Sequence, residues 1–256
     1  MRLRLAGRQA SQYRLQPRPN RACIQGKGMN KKIIFCGSAP LVGSWLPDAS
    51  PSPKRVFLLS PADMKGVRGR QLLNPNSEFE LAQRLQAGQA TLGECFSFIS
   101  SLYFRGKLAY AETFATPPEP LSKSYVITGS LGLLTPQTKV DLAVLRELSE
   151  SKIDADEPAY RIRLERDAIV LSEALGERGQ VVLLGSIATD KYVVPLSGIF
   201  GNRLLFPLTF VGRGDMSRGG LLLRSAREHT ELRYARVAER TRKTARRPRS
   251  FRDEHR

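Results

Sequence analysis

Four short apolar runs constrain this chain more than any other feature. They cover residues 56–60, 125–128, 181–184 and 204–206, and each leads into a loop of small, polar or glycine-rich residues. The run Val181-Val182-Leu183-Leu184 has no polar position at all. Such a run fits a central parallel strand buried on both faces, because an antiparallel strand with one wet face would alternate. Stretches with helical spacing lie between the runs. Strands alternating with helices predict an α/β fold, a mostly parallel sheet with flanking helices and a helical insertion after the first strand. The loops after the runs are Ser60-Pro61-Ala62-Asp63, Gly129-Ser130-Leu131-Gly132, the segment from Gly185 to Tyr192, and Arg213-Gly214-Asp215-Met216-Ser217-Arg218-Gly219-Gly220. In an open α/β sheet, ligands sit outside the carboxyl ends of the strands, so these loops predict one crevice.

The formal charge of +17 would suit a nucleic-acid partner, but it is unevenly spread. Residues 1–55 hold eleven Lys and Arg against one acid, residues 56–235 hold 21 against 20, and residues 236–256 hold nine against three. The excess therefore belongs to the two ends, and net charge does not by itself argue for a basic face on the folded part. Three domains of composition follow. Residues 1–55 form a basic extension, residues 56–235 the α/β domain, and residues 236–256 an arginine-rich tail expected to be disordered. For residues 1–55, an amphipathic transit peptide is opposed by scattered prolines, and a secretory signal starting at Met29 is interrupted by Gly37 and Pro40. The favoured expectation is a disordered or mis-assigned extension, with translation starting near Val56.

The three cysteines, Cys23, Cys36 and Cys95, give neither a disulfide framework nor a metal-ligand spacing. A histidine-based triad or metal site would rest on His229 alone, since the other histidine, His255, lies in the tail. No apolar run reaches the ~20 residues of a membrane span. The expectation is a cytoplasmic protein with no membrane partner, no metal and no cofactor.

Along the domain, residues 65–76 read as a basic loop and residues 78–86 as a helix. Thr91 and Glu94 read as a capping box that opens a third segment presenting Leu92, Cys95, Phe96 and Ile99. Residues 104–114 continue as a helix. The aromatics Phe96, Phe98, Tyr103, Phe104, Tyr110 and Phe114 are expected in the core rather than as a base-stacking surface. Residues 132–136 read as a tight loop and 141–148 as a short helix. Residues 158–175 read as a long helix with Ile162, Ala168, Ile169, Leu171 and Leu175 inside. A helix follows from about Ser217, and residues 232–237 form an edge strand.

The loops carry the candidate chemistry. Arg213 and Arg218 flank Ser217, an expected helix N-cap, and two guanidiniums beside free helix N–H groups make an anion site for phosphate or carboxylate. They would equally serve to pair with Asp215 or Asp190 and hold the loops together. Asp190, after Thr189, is either a helix cap or a general base, and Asp63 carries the same ambiguity. Ser130 and Gly132 would let a ligand approach the backbone closely. Ser130 has no visible base, so it is not taken as a nucleophile.

Read in order, these loops resemble those of the YaaA family of peroxide-stress-resistance proteins. The matches are Leu58-Leu59-Ser60-Pro61-Ala62-Asp63 to a strand ending in Ser-Pro-Ala-Lys, and Leu131-Gly132-Leu133-Leu134-Thr135-Pro136 to Tyr-Gly-Leu-Leu-Arg-Pro. Ala188-Thr189-Asp190-Lys191-Tyr192 is similar to Ala-Ser-x-Glu-Tyr. Arg213-Gly214-Asp215-Met216-Ser217-Arg218 is similar to Arg-Gly-x-Met-Ser-Arg, the most specific of the four. The resemblance covers about residues 56–230. Asp63, Thr135 and Lys191 depart from the family's lysine, arginine and glutamate, which marks a divergent branch. A fainter similarity, carried by residues 104–111, is to an α/β domain found beside archaeosine-type tRNA-modifying enzymes.

The YaaA resemblance implies DNA binding, a basic cleft and a role in limiting oxidative damage. It also implies a helix-hairpin-helix-like element whose counterpart here is residues 91–115, with Arg105 and Lys107 as phosphate contacts. Lys191, Arg213 and Arg218 complete the expected phosphate-binding set. Ser60, Pro61, Ser130, Gly132, Thr189, Tyr192, Gly214, Met216 and Ser217 complete the crevice loops. The alternative is an enzyme acting on a nucleotide or modified base, with Asp63 and Asp190 as its acid–base residues. The expected partners are therefore DNA or another nucleic acid, or a nucleotide-like small molecule.

Overall fold

The computed structural model describes residues 53–239. The expectations for the basic extension up to residue 52, and for the arginine-rich tail from residue 240, lie outside the described residues.

The main sheet is built on β1 (Arg55–Leu59), β3 (Ser124–Ile127), β6 (Gln180–Leu184) and β7 (Leu204–Pro207), all parallel. Two short strands pair antiparallel at its edges: β4 (Leu133–Leu134) on β3 and β8 (Tyr234–Arg236) on β7. The strand order is β4-β3-β1-β6-β7-β8. Helices α1 (Val67–Leu73), α2 (Glu80–Gln86), α3 (Leu92–Ser100) and α4 (Leu102–Phe114) lie between β1 and β3. So does β2 (Ala90–Thr91), which pairs antiparallel with β5 (Lys139–Val140). Then come α5 (Leu142–Glu150), α6 (Pro158–Leu175), α7 (Asp190–Phe200) and α8 (Asp215–Arg227).

Side chains alternate across a strand, so each parallel strand feeds two cores. Phe57, Leu59, Val126, Val182, Leu184 and Leu205 pack with α1 to α5 and α8, through residues such as Leu72, Phe96, Phe104, Leu145 and Leu222. Val56, Leu58, Ile127, Val181, Leu183, Leu204 and Phe206 pack on the other face with α6 and α7, through Tyr160, Leu164, Leu171, Tyr192 and Leu196. The unbroken apolar run at 181–184 is thus the signature of a strand buried from both sides, as expected. All six aromatics of α3 and α4 serve the first core. Phe96, Tyr103, Phe104 and Tyr110 are buried, and Phe98 and Phe114 pack against them.

The capping box at Thr91 is present. Its hydroxyl accepts from Glu94 N–H, and Glu94 Oε2 accepts from Thr91 N–H at 2.8 Å. Arg84 pairs with the same carboxylate at 2.8 Å, and this hydrogen bond, with the one from the Thr91 backbone, holds the Glu94 carboxyl down at about 2. Thr91→Ala should therefore cost about 1 kcal/mol, read as a lower chemical-denaturation midpoint with an unchanged slope. Wild-type stability against that variant would separate the cap from mere helix propensity, since Thr91→Ser should recover most of the loss.

Several sequence expectations are corrected. The basic loop at 65–76 contains a helix, α1, because Leu72 finds the first core. Residues 133–134, expected in a tight loop, extend β3's edge instead. On α6 the inner face is Tyr160, Leu164, Ala168, Leu171 and Leu175, while Ile162 and Ile169 point to solvent. Tyr160 holds the inward position, where its hydroxyl donates to the Lys191 carbonyl at 2.7 Å, and Ile162, two residues on, falls on the opposite side of the helix. Ser217 is not the N-cap of α8. Gly214 holds that position, and Ser217 lies inside the first turn, accepting from Arg213 at 3.1 Å.

Candidate functional site

Two of the sheet's connections set the site. The chain leaves β1 toward the α1–α5 face and leaves β6 toward α7 on the opposite face. β1 and β6 are neighbours, so their carboxyl ends part like an opening hinge, which is where a doubly wound sheet leaves a crevice. A cavity of about 380 Å³ lies there, lined by Ser60, Pro61, Asp63, Ile99, Ser100, Tyr103, Ser186, Lys191, Tyr192, Asp215 and Arg218. A larger depression of about 670 Å³ shares Pro61, Asp63, Lys191 and Tyr192 with it and runs on past Thr128, Gly129 and the segment 148–154.

The crevice wall depends on how α4 meets α8. Gly106 and Gly219 bring the two helices to backbone contact. A Cβ on Gly106 would stand 2.7 Å from the Gly219 carbonyl oxygen, and one on Gly219 would stand 2.8 Å from both the Leu102 carbonyl oxygen and the Tyr103 Cα. This close approach carries Tyr103 and Arg218 into one corner. Arg218 is fixed by two hydrogen bonds to the Phe210 carbonyl, at 3.2 and 3.0 Å, and by a longer contact to Asp215 at 3.4 Å. Its guanidinium also lies over the Phe210 ring. It therefore does bind internally, but three bonds leave two of its five donors free. The Tyr103 hydroxyl is buried beside the Arg218 guanidinium, and burial pushes its pKa up to about 12 while that guanidinium opposes the rise.

Beneath the floor lies Lys107, 1% exposed. Its Nζ donates to the Ser60 carbonyl at 2.8 Å and to Ser60 Oγ at 2.7 Å, and it sits over the Tyr103 ring. No ion pair among the described residues involves it. Burial pulls its ammonium down to about 7. Asp215 opposes that shift and Arg218 adds to it.

The expected site residues are therefore sorted by the fold. Ser60, Pro61, Asp63, Lys191, Tyr192 and Arg218 meet at the crevice. Asp63 is exposed there, its carboxylate accepting from Lys65 N–H. Asp190, the first residue of α7, lines a third depression with Thr189, Asp154 and Arg161, so the two aspartates do not share the crevice as an acid–base pair. One residue step turns a helix by about 100°, which sends Asp190 away while Lys191 and Tyr192 face inward. Arg213, Gly214, Met216 and Ser217 are exposed around the start of α8, outside the crevice lining. Ser130 keeps its hydroxyl buried without a partner, off the lining. Gly132 serves the fold: its φ is +72°, and a Cβ would strike the Asp167 carboxylate, which accepts from Leu133 N–H. His229 is exposed beyond the far end of α8, about 20 Å from its start.

Lys107 requires a correction, because a fully buried amine beneath Ser60 cannot be a surface phosphate contact. Arg105, two residues earlier on the opposite side of α4, is exposed, and its side chain hydrogen-bonds the Ser101 carbonyl. The burial of Lys107 was readable from its spacing: Tyr103 and Phe104 precede it by four and three, and Tyr110 and Ala111 follow by three and four, all on the inner stripe. Ser186 and Asp215 line the crevice within loops expected there, whereas Ile99, Ser100, Tyr103 and the segment 148–154 were not expected as crevice residues. Tyr103 was absorbed into the aromatic core, and nothing in the sequence marks the polar turn after α5 as facing the strand ends.

Fold and site together define a doubly wound α/β domain with a polar crevice at the ends of its two central strands. No family model, no curated protein and no solved structure matches this chain.

Proposed function

We propose that this is a nucleic-acid-binding protein of the YaaA type, whose strand-end crevice receives a phosphate-bearing unit of DNA. The observation that carries the proposal is the convergence of Arg218, Lys191 and Tyr103 on one cavity, from three separate elements. A guanidinium and an ammonium lining a common space suit a phosphate better than a neutral ligand. Arg105 and Arg213 are exposed and would meet the backbone outside the crevice. On this reading the helices between β1 and β3 are the insertion, and residues 91–115 within them are the counterpart of the helix-hairpin-helix-like element that the resemblance implies. Limiting peroxide damage to DNA is the role that the same family resemblance proposes.

The size of the cavity favours a second reading, an enzyme acting on a nucleotide or modified base. A space of about 380 Å³ takes one nucleotide rather than a duplex. Asp63 is then the acid–base candidate that remains at the crevice.

Arg218→Ala in the full-length chain tests the first reading. Binding to a DNA oligomer, followed across a salt titration, should weaken by about tenfold, and the slope of log affinity against log salt should fall by about one. An unchanged slope would assign binding to the arginine-rich ends. A parallel melting curve must show the variant folded, because the loss of its bonds to Phe210 also has a structural cost.

A further inference from the structure

We propose that Ser60 and Lys107 form a serine–lysine nucleophilic pair, which gives the crevice acyl-transfer activity toward a small carboxylic ester or amide that carries an anionic group. Ser60 stands at the carboxyl end of β1 and lines the 380 Å³ cavity, and the Lys107 amine lies 2.7 Å from its Oγ. A serine hydroxyl is a weak nucleophile until a base within hydrogen-bond reach takes its proton. Lysine fills that role only when it is neutral, which requires burial and the absence of a carboxylate partner. Both conditions hold here. Lys107 is buried, and the groups facing it are the Ser60 oxygens, the rings of Tyr103 and Phe104, and the charges of Asp215 and Arg218, which act in opposite directions. The second hydrogen bond of the amine, to the Ser60 carbonyl, fixes its position, and once one proton has left, the amine can accept the Oγ proton, which in the resting arrangement is donated to the Leu184 carbonyl over a long 3.4 Å.

The step balances within the site. Oγ bonds to the acyl carbon as its proton passes to Lys107 Nζ, and the carbonyl π pair moves onto oxygen. Tyr103 lines the same cavity, and its hydroxyl, buried beside the Arg218 guanidinium, is the donor assigned to that oxyanion. Collapse of the intermediate breaks the bond to the leaving group, which takes the proton from Lys107. Water then attacks the acyl-serine with Lys107 again as base, releasing the acid and restoring Ser60. The free donors of Arg218 hold the anionic group of the substrate. The activity uses the proposed crevice but needs no nucleic acid.

The test uses the full-length chain and a fluorophosphonate, which takes a nucleophilic serine oxygen at phosphorus, releases fluoride and leaves a stable adduct. Peptide mapping should place the adduct on Ser60. The labelling rate should rise with pH through an inflection near 7 and level off above it. Ser60→Ala should abolish the adduct, and Lys107→Met should slow it by at least about a hundredfold. The wild-type pH profile keeps the test decisive if Lys107→Met does not fold. A folded wild-type protein that gives no adduct on Ser60 overturns the proposal, as does a rate that is flat from pH about 6 to about 9. The neutral probe does not need Arg218, so labelling in Arg218→Ala separates a failure of this proposal from a failure of the binding reading.

Discussion

Alanine at Gly219 and alanine at Gly220 will shift stability in opposite directions, although the two positions are adjacent in α8. At Gly219 the new methyl would stand 2.8 to 2.9 Å from backbone atoms of Leu102 and Tyr103, and backbone cannot swing aside as a side-chain tip can. The two helices must separate, and overpacking of this kind costs about 3 kcal/mol. At Gly220 a methyl meets nothing within 4 Å, so only the intrinsic preference acts, and alanine gains roughly 0.5–1 kcal/mol in a helix interior. Thermal melts of the two variants beside wild type decide the matter. A drop of several degrees for Gly219→Ala with an unchanged or raised midpoint for Gly220→Ala is the expected result, and two shifts of the same sign would refute the close crossing. Because the crossing places Tyr103 against Arg218, the Gly219 variant should also lose crevice function beyond what its stability loss explains.

The second large effect is a pH dependence centred on Lys107. Its folded-state pKa is lowered from 10.5 to about 7, chiefly by burial. Between those values the unfolded chain binds a proton that the folded protein does not, so stability rises as pH increases through this window. The slope reaches at most about 1.4 kcal/mol per pH unit for one proton. From pH 7 the gain continues to about pH 9, where the buried Cys95 thiol, pushed up to about 12, begins to oppose it. Buried tyrosines, including Tyr110, whose pKa also rises to about 12, add to that opposition above pH 10. The net gain across the window should be about 2 kcal/mol. Lys107→Met removes the titrating group and should flatten this stretch of the profile. The same change strips Ser60 of two donated hydrogen bonds, so the variant should be less stable than wild type at pH 9, with the gap narrowing toward pH 6. Denaturant unfolding at a series of pH values would measure it. Parallel profiles for the two proteins would show that the lysine does not titrate in this range.

The four strands and most helices were legible because local chemistry specifies them. An all-apolar run of four cannot have a wet face, Thr91 and Glu94 close a cap whatever lies beyond, and Pro158 and Gly176 mark the ends of α6. The loops after the strands were legible as a crevice for a related reason, since parallel strands must share one carboxyl end. Legibility failed where two phases of one helix competed. On α6 the hydrophobic Ile162 and Ile169 lost the inward face to a stripe anchored by Tyr160, whose buried hydroxyl needed the Lys191 carbonyl.

By itself, then, the sequence determined the sheet, its two buried faces, and the presence of Ser60, Asp63, Lys191, Tyr192 and Arg218 at one end of it. Only the tertiary structure decided what those residues do there. It kept Asp190 out of the crevice that holds Asp63 by a single residue step on α7, and it brought Tyr103 to Arg218 through two glycines more than a hundred positions apart. It also turned Lys107 from a surface cation into a buried amine against Ser60. The reason is physical: strand and helix identity follow from neighbours along the chain, whereas the charge state of an amine is set by burial among groups that only packing brings together.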